Sequence, residues 1–121
     1  MRYGRLKQGV NGMPDYFYDT DEFTFVWDED KNNLNIRKHG IPFTVAARVF
    51  EDELRLEYPD PEHSQDEERW RTIGLVRDVL TVVYCDRLNR ETGNTDIRII
   101  SARLATTLER NAYNNNIIGR C

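Results

Sequence analysis

Apolar residues recur along the chain at intervals that predict its first two elements. Aromatic side chains occupy every second position of residues 23–27, a pattern typical of a strand whose aromatic face joins the core. Residues 29–39 then form a predicted helix, with Asp28 as N-cap and Gly40 as its left-handed stop. This helix has few apolar residues, so we expect it to lie on the surface. The side chains expected along its exposed side are those of Lys31, Asn35 and Lys38.

The remainder of the chain predicts one more helix, a series of strands and a final helix. A helix opens at Pro42, and strands are expected over residues 54–58, 69–76, 79–86 and 97–102, with Asp78 in the turn between the second and third. Thr106 and Glu109 have the spacing of a capping box, which starts a helix that ends near Tyr113. This order predicts an α+β fold of two layers, in which two N-terminal helices and one C-terminal helix pack on an antiparallel sheet.

Length and composition fit a single domain. The chain has 121 residues, 39% of them hydrophobic, which suffices for one small core. We expect residues 1–22 to be an N-terminal extension and residues 23–121 to be the domain. No apolar run approaches the roughly 20 residues needed to cross a bilayer, and no apolar signal segment follows the start, so we expect no membrane contact and a cytoplasmic location. Cys85 and Cys121 have neither metal-site nor disulfide spacing.

Charge is distributed unevenly along the sequence. The net charge is −4, and residues 51–68 are strongly acidic. From Arg69 onward, nine arginines face five acidic residues, and lysine does not occur. Arginine suits the binding of phosphate, because its planar guanidinium donates two parallel hydrogen bonds. The alternative is that these arginines only lie on strand faces exposed to solvent and bind no phosphate.

Several separated sequence blocks resemble the BrnT-type toxins. The blocks with the most specific residues are Val26-Trp27-Asp28-Glu29-Asp30-Lys31, Lys38-His39-Gly40-Ile41, Glu67-Glu68-Arg69, Ile73-Gly74 and Ile97-Arg98-Ile99-Ile100-Ser101-Ala102-Arg103. The resemblance extends over about residues 25–113. It implies a RelE-like fold and a ribonuclease that inhibits translation and growth as the toxin of a type II toxin–antitoxin pair.

Metal-independent RNA cleavage requires a base, an acid and cations that stabilise charge on phosphorus. No cofactor or metal is expected. The candidate proton-transfer groups are His39 and Glu67, with His63 ranked lower because it lies in a proline-containing loop. Arg98 lies between two isoleucines that face the core, so its side chain points away from that face. The predicted phosphate-binding residues are Arg69, Arg87, Arg98 and Arg103, and those predicted to hold the RNA substrate are Lys38, Arg87 and Arg98.

Simpler interpretations exist for four of these residues. Glu67 and Arg69, two apart on one strand edge, could simply form an exposed ion pair with a neighbour. His39 at a helix C-terminus is explained by the helix dipole, and Arg103 could serve only to tie the last helix to the sheet. For the whole protein, the alternative function is a non-catalytic binding module, whose arginine face docks an acidic protein partner or nucleic acid.

The resemblance also implies an antitoxin partner. This partner would carry a ribbon-helix-helix DNA-binding half, would form a 2:2 complex and would provide the only link to DNA. We expect it to cover the cleft, by occupying helix 29–39 and the sheet face that carries the arginines.

Overall fold

The computed structural model describes residues 2–5, 15–20, 22–63 and 67–119. These residues contain seven strands and three α-helices. The strands are β1 (Arg2–Arg5), β2 (Asp15–Asp19), β3 (Phe23–Asp28), β4 (Leu56–Pro59), β5 (Trp70–Val76), β6 (Asp78–Leu88) and β7 (Thr95–Leu104). The helices are α1 (Glu29–His39), α2 (Phe43–Ala47) and α3 (Thr107–Ile118), and 3₁₀ turns cover Arg48–Glu51 and Pro61–His63. Cys121 lies outside the described residues.

The strands form one sheet in the order β1-β2-β3-β7-β6-β5-β4. Neighbouring strands are antiparallel except β3 and β7, which run parallel. The prediction of an antiparallel sheet is therefore wrong for this pair. Strands β3 and β6 run in opposite directions. Strand β7, the last in the chain, lies between them and is therefore parallel to one of them. Strands β1 and β2 belong to residues 1–22, in which the sequence shows no clear periodicity. They lie at one edge of the sheet.

One face of the sheet, which we call the core face, carries the main hydrophobic core. Its buried residues are Phe25, Trp27, Ile41, Phe43, Ala46, Ala47, Val49, Phe50, Leu80, Val82, Tyr84, Ile97, Ile99 and Ala102. Helices α1 and α2 cover this face, so the aromatic face of β3 is core, as predicted. The α+β class and the packing of helices against a sheet are confirmed.

Helix α1 begins and ends as the sequence predicts. The Asp28 carboxylate accepts from the Asp30 N–H at 2.8 Å, and Gly40 has φ +71. The predicted exposure of Asn35 is wrong, because Asn35 is buried at the interface with β7. Its amide donates to the carbonyls of Ile41 and Ala102 and accepts from the Ala102 N–H. The buried side of α1 is thus polar.

The hairpin between β5 and β6 turns at Arg77 rather than at Asp78. Val76 pairs with Asp78, and Arg77 between them has φ +63. Asp78 is the first residue of β6, so its predicted place in the turn is wrong. Near the middle of β5, Gly74 allows a close approach, because a Cβ there would lie 2.8 Å from Val49 Cγ1.

Helix α3 lies on the opposite face of the sheet, which we call the arginine face. It has the predicted capping box, in which the Thr106 side chain accepts from the Glu109 N–H and the Glu109 carboxylate accepts from the Thr106 N–H. The predicted end near Tyr113 is wrong, because the helix continues to Ile118. Tyr113 donates to Asp52, and the Asn116 amide donates to the Leu54 carbonyl at 2.8 Å, which holds the last turns.

Helix α3 covers only one end of the arginine face, where it contacts β5 and β6. The rest of that face has no helix over it among the described residues. In that same part of the chain, no helix is long and apolar enough to span a membrane.

Candidate active site

A row of side chains crosses the uncovered end of the arginine face. Arg98 on β7 pairs in register with Cys85 on β6 and with Val26 on β3. The Arg69 side chain, just before β5, contacts the Cys85 thiol from the other side. Two arginines therefore flank one cysteine in the middle of the sheet.

A second row lies next to the first. Arg87 on β6 pairs with Asp96 on β7. Each lies two residues from a member of the first row, Arg87 from Cys85 and Asp96 from Arg98, so strand alternation puts both on the arginine face. The guanidinium groups of Arg69, Arg87 and Arg98 are thus brought to the same end of this face.

These rows line a cavity of about 310 Å³. The lining residues are Val26, Glu67, Glu68, Cys85, Asp86, Arg87, Asp96 and Arg98. We call this cavity, together with the adjoining Arg69, the arginine cleft. Its acidic residues slightly outnumber its arginines, so the cleft combines cationic anchors with carboxylates that can accept protons.

The local sequence explains why the cleft forms here. Arg98 is half-buried between Ile97 and Ile99, which are 2% and 1% exposed, so its side chain faces away from the core as predicted. Strand β6 is buried as far as Tyr84, and its last residues beyond Cys85 are exposed. The hairpin of β6 and β7 therefore carries its polar residues past the end of the hydrophobic core.

The Cys85 thiol is not set up as a nucleophile. Burial raises its pKa to about 11, and the neighbouring Glu67 carboxylate raises it as well. The reactive form of cysteine is the thiolate, so Cys85 stays in its unreactive form at neutral pH. Glu67, an exposed residue of the loop before β5, is the carboxylate of the cleft that reaches this thiol.

Arg103, a fourth predicted phosphate ligand, is engaged elsewhere. Its guanidinium donates to both oxygens of Glu109, at 2.7 and 3.2 Å. Glu109 also accepts from Thr81 at 3.0 Å and pairs with Arg71 at 3.3 Å. Arg103 therefore ties α3 to the sheet, as the simpler interpretation proposed, and it does not line the arginine cleft.

Glu109 is the centre of this polar cluster. Burial alone would raise its pKa, but the hydrogen bonds from Arg103, Thr106 and Thr81 outweigh burial and lower the pKa to about 2. The carboxylate is consequently ionised at any physiological pH, and it holds the start of α3 against three strands.

His39 and Lys38 lie away from the arginine cleft. Both are exposed at the C-terminal end of α1, which packs on the core face. The structure therefore separates His39 from Glu67, the other predicted proton-transfer group. It also places α1 and the arginines of the cleft on opposite faces of the sheet.

Five lining residues of the cleft were not among the predicted site residues, namely Val26, Glu68, Cys85, Asp86 and Asp96. Cys85 alternates with Arg87, and Asp96 alternates with Arg98, so the two-residue period of a strand already pointed to them. Val26 joins the cleft only through the parallel pairing of β3 with β7, for which the sequence gave no signal. Within the described residues, no group of three or more His, Cys, Asp or Glu side chains is arranged to hold a metal ion.

Comparison with known protein families gives one match. Residues 27–109 match the family model described as the ribonuclease toxin, BrnT, of type II toxin–antitoxin systems. The matched range contains Arg69, Arg87, Arg98 and Glu67. No curated protein matches the chain.

Proposed function

The chain belongs to the BrnT family of ribonuclease toxins of type II toxin–antitoxin systems, and from this premise we propose that it cleaves RNA in the arginine cleft. The observation that carries the proposal is the convergence of Arg69, Arg87 and Arg98 on one open end of the sheet, in a cavity that also holds Glu67. Guanidinium groups bind phosphate through paired hydrogen bonds, and a nearby carboxylate can accept a proton.

The proposed reaction needs no metal ion. The 2′ oxygen of a ribose attacks the adjacent phosphorus while the Glu67 carboxylate takes its proton. The new bond between the 2′ oxygen and phosphorus replaces the bond to the 5′ oxygen, which leaves with a proton from solvent. The products are a 2′,3′-cyclic phosphate and a 5′-hydroxyl end. Arg87 and Arg98 stabilise the charge that builds up on the phosphoryl oxygens.

His39 and Lys38 have no part in this version of the reaction, because they lie beside the core face. Assigning the base to Glu67 can be checked directly. We expect Glu67→Gln to lower the cleavage rate about a hundredfold or more, as loss of a general base does, and His39→Gln to leave it within about twofold. The reverse result would move the base to His39 and place the site at the other face.

RNA degradation in the presence of EDTA tests the proposal as a whole. The wild-type chain should cleave single-stranded RNA, and Arg98→Ala should be inactive. Arg37→Ala is the matched control, because Arg37 is exposed on α1 at the opposite face. Binding of RNA without any cleavage product would instead support the alternative function, a binding module without turnover.

The family implies a cognate antitoxin as partner. We propose that this antitoxin carries a ribbon-helix-helix DNA-binding half, forms a 2:2 complex and silences the chain by covering the arginine cleft. The chain would then reach DNA only through the antitoxin, and both would act in the cytoplasm. Co-expression with the neighbouring small open reading frame, followed by size-exclusion chromatography with light scattering, measures the stoichiometry. A complex that cleaves RNA as fast as the free chain would contradict silencing at the cleft.

A further inference from the structure

A second cavity, of about 520 Å³, lies where α1 ends and the β5–β6 hairpin turns. Its floor is aliphatic and includes Ile41, Val45, Leu80 and Leu104. Leu104 is 53% exposed, although it lies next to the buried core of the sheet. We call this cavity the hairpin groove.

The rim of the hairpin groove is mainly basic. Arg48 and Arg77 line it from two sides, together with His39, and Asp78 is the acidic residue among its described lining. The Arg48 side chain is 59% exposed, and its ion pair with Glu51 is long, at 3.9 Å. Its charge is therefore available to a ligand that approaches from outside.

Arg77 adds an independent observation. Its φ of +63 lies in the left-handed region, which side chains with a Cβ adopt at a cost and glycine adopts freely. Glycine or asparagine would form this turn with less strain. The hairpin thus holds an arginine in a strained backbone conformation at the rim of an apolar groove, a combination found at functional sites.

From the chemistry of floor and rim, we infer that the hairpin groove docks an acidic, amphipathic segment of the antitoxin. Apolar side chains of that segment would cover Leu104 and the aliphatic floor, and its carboxylates would meet Arg48 and Arg77. The inference rests on the proposed function, because it assumes that the chain has an antitoxin. It assigns the antitoxin an anchor on the core face, separate from the arginine cleft that is to be silenced.

RNA fits the hairpin groove less well. Bases of single-stranded RNA bind proteins mainly by stacking on aromatic side chains. The groove's lining, as far as the structure describes it, contains no Phe, Tyr or Trp, and its one ring is the imidazole of His39 on the rim. An aliphatic floor with a basic rim instead matches a peptide that presents leucine-like anchors flanked by acidic residues.

Binding measurements on the full chain and the purified product of the neighbouring open reading frame test the inference. We expect Arg77→Glu and Arg48→Glu each to weaken the complex at least tenfold. Arg110→Glu is the control, because it makes the same charge change on α3, which lies on the other face of the sheet and at the end of that face away from the arginine cleft. We expect the control to change affinity less than twofold.

Arg77→Gly separates docking from folding. It removes the charge and the backbone strain together, so we expect an unchanged or higher melting temperature but weaker binding of the antitoxin. If Arg77→Gly and Arg48→Glu bind as tightly as the wild type, or if Arg110→Glu weakens binding equally, the inference is overturned. It is also overturned if the groove variants keep their antitoxin affinity and lose affinity for single-stranded RNA.

RNA cleavage by the wild-type chain is recorded separately. If cleavage is absent while the groove variants still lose antitoxin binding, the proposed catalytic cleft fails and the docking groove stands. If cleavage is present and the groove variants bind normally, the groove fails and the cleft stands. If the wild-type chain forms no complex, the anchor and the proposed silencing both fail.

Discussion

Arg98 and Arg103 lie five residues apart on β7, on the same face of the sheet, yet they have different surroundings. Arg98 lines the open cleft, whereas Arg103 forms two hydrogen bonds with the buried Glu109. Strict alternation would put residues five apart on opposite faces, but the irregularity in the β6–β7 register between Val83 and Tyr84 returns Arg103 to the face of Arg98. Their different surroundings arise from α3, which covers one end of the face and leaves the other open.

Alanine replacements should distinguish the two arginines. Arg98→Ala should abolish growth inhibition while the melting temperature stays within a few degrees of the wild type. Arg103→Ala leaves the Glu109 carboxylate with fewer partners, so we expect a loss of about 2 kcal/mol in stability and a melting temperature lower by roughly 8 °C. Thermal unfolding and a growth assay check both. A comparable loss of stability in Arg98→Ala would show a structural role for Arg98.

Glu109 should make the protein sensitive to acid. Its pKa in the folded chain is about 2, against an ordinary value of 4.5. Between these values the unfolded chain binds a proton that the folded chain does not, so stability falls as the pH decreases through this window. The contribution lost is up to about 3 kcal/mol.

Urea unfolding at pH 7, 4 and 2.5 measures this loss. In Glu109→Gln the decrease should be smaller by the contribution of this one carboxylate, starting from a lower stability at pH 7. An identical pH profile in the variant and the wild type would assign the acid sensitivity to other carboxylates.

Among the elements, α1 is attached to the sheet in an unusual way. Apolar residues of this helix are partly exposed, with Leu34 at 43% and Ile36 at 38%, while Asn32 and Asn35 are buried. The Asn32 side chain accepts a hydrogen bond from the Phe43 N–H at 2.8 Å, and its amide N–H donates to the Glu29 carboxylate. Side-chain amides thus replace the usual apolar stripe.

Asn35→Leu tests this attachment. Leucine removes three hydrogen bonds to the backbone of Ile41 and Ala102 and leaves buried carbonyl and N–H groups without these partners. We expect a loss of about 2–4 kcal/mol, although leucine is more apolar than asparagine. Chemical denaturation gives the value. A neutral or stabilising effect would show that α1 is held by apolar contacts instead.

The sequence could predict the elements because period and caps are local signals. Each strand predicted from residue 23 onward is present, with ends displaced by two residues or fewer. The caps of α1 and the capping box of α3 are where the sequence places them, whereas α3 runs five residues beyond its predicted end. The burial of Asn35 and the parallel pairing of β3 depend on partners about 70 residues away. Such partners leave no mark in a local pattern.

For the site, the sequence predicted that arginines share one face of the sheet. It did not predict which of them is bound by a carboxylate of the protein. Strand alternation is enough to place Arg87 and Arg98 on one face. Strand alternation cannot show that Arg103 forms hydrogen bonds with Glu109, or that the sheet separates His39 from Glu67. Those facts depend on which end α3 covers and on which face α1 packs, and both are set by tertiary packing.

The whole molecule is acidic, with a net charge of −4, yet it is expected to bind a polyanion. Binding should therefore depend on the three arginines of the cleft rather than on a broad positive field. For single-stranded RNA, neutralising three phosphates predicts a slope of about −2 for the logarithm of affinity against that of salt concentration.

Arg98→Ala should reduce the magnitude of that slope by about 0.7. Fluorescence titration with a short RNA that cannot be cleaved, at several salt concentrations, measures it. A much steeper slope for the wild type would indicate contacts with lysines and arginines outside the cleft.

The parallel pairing of β3 with β7 also governs when the protein becomes active during its synthesis. Phe23 pairs with Thr95, so β3 cannot form this pairing until a residue 72 positions later in the chain has been synthesised. At a synthesis rate of about 5–20 residues per second, this delay is roughly 4–14 s. Until β7 enters the sheet, Val26 and Arg98 cannot meet, and the cleft is incomplete. With RNA cleaved in the arginine cleft as proposed, the nuclease is not complete until β7 has been made, and truncated products that lack β7 should be harmless.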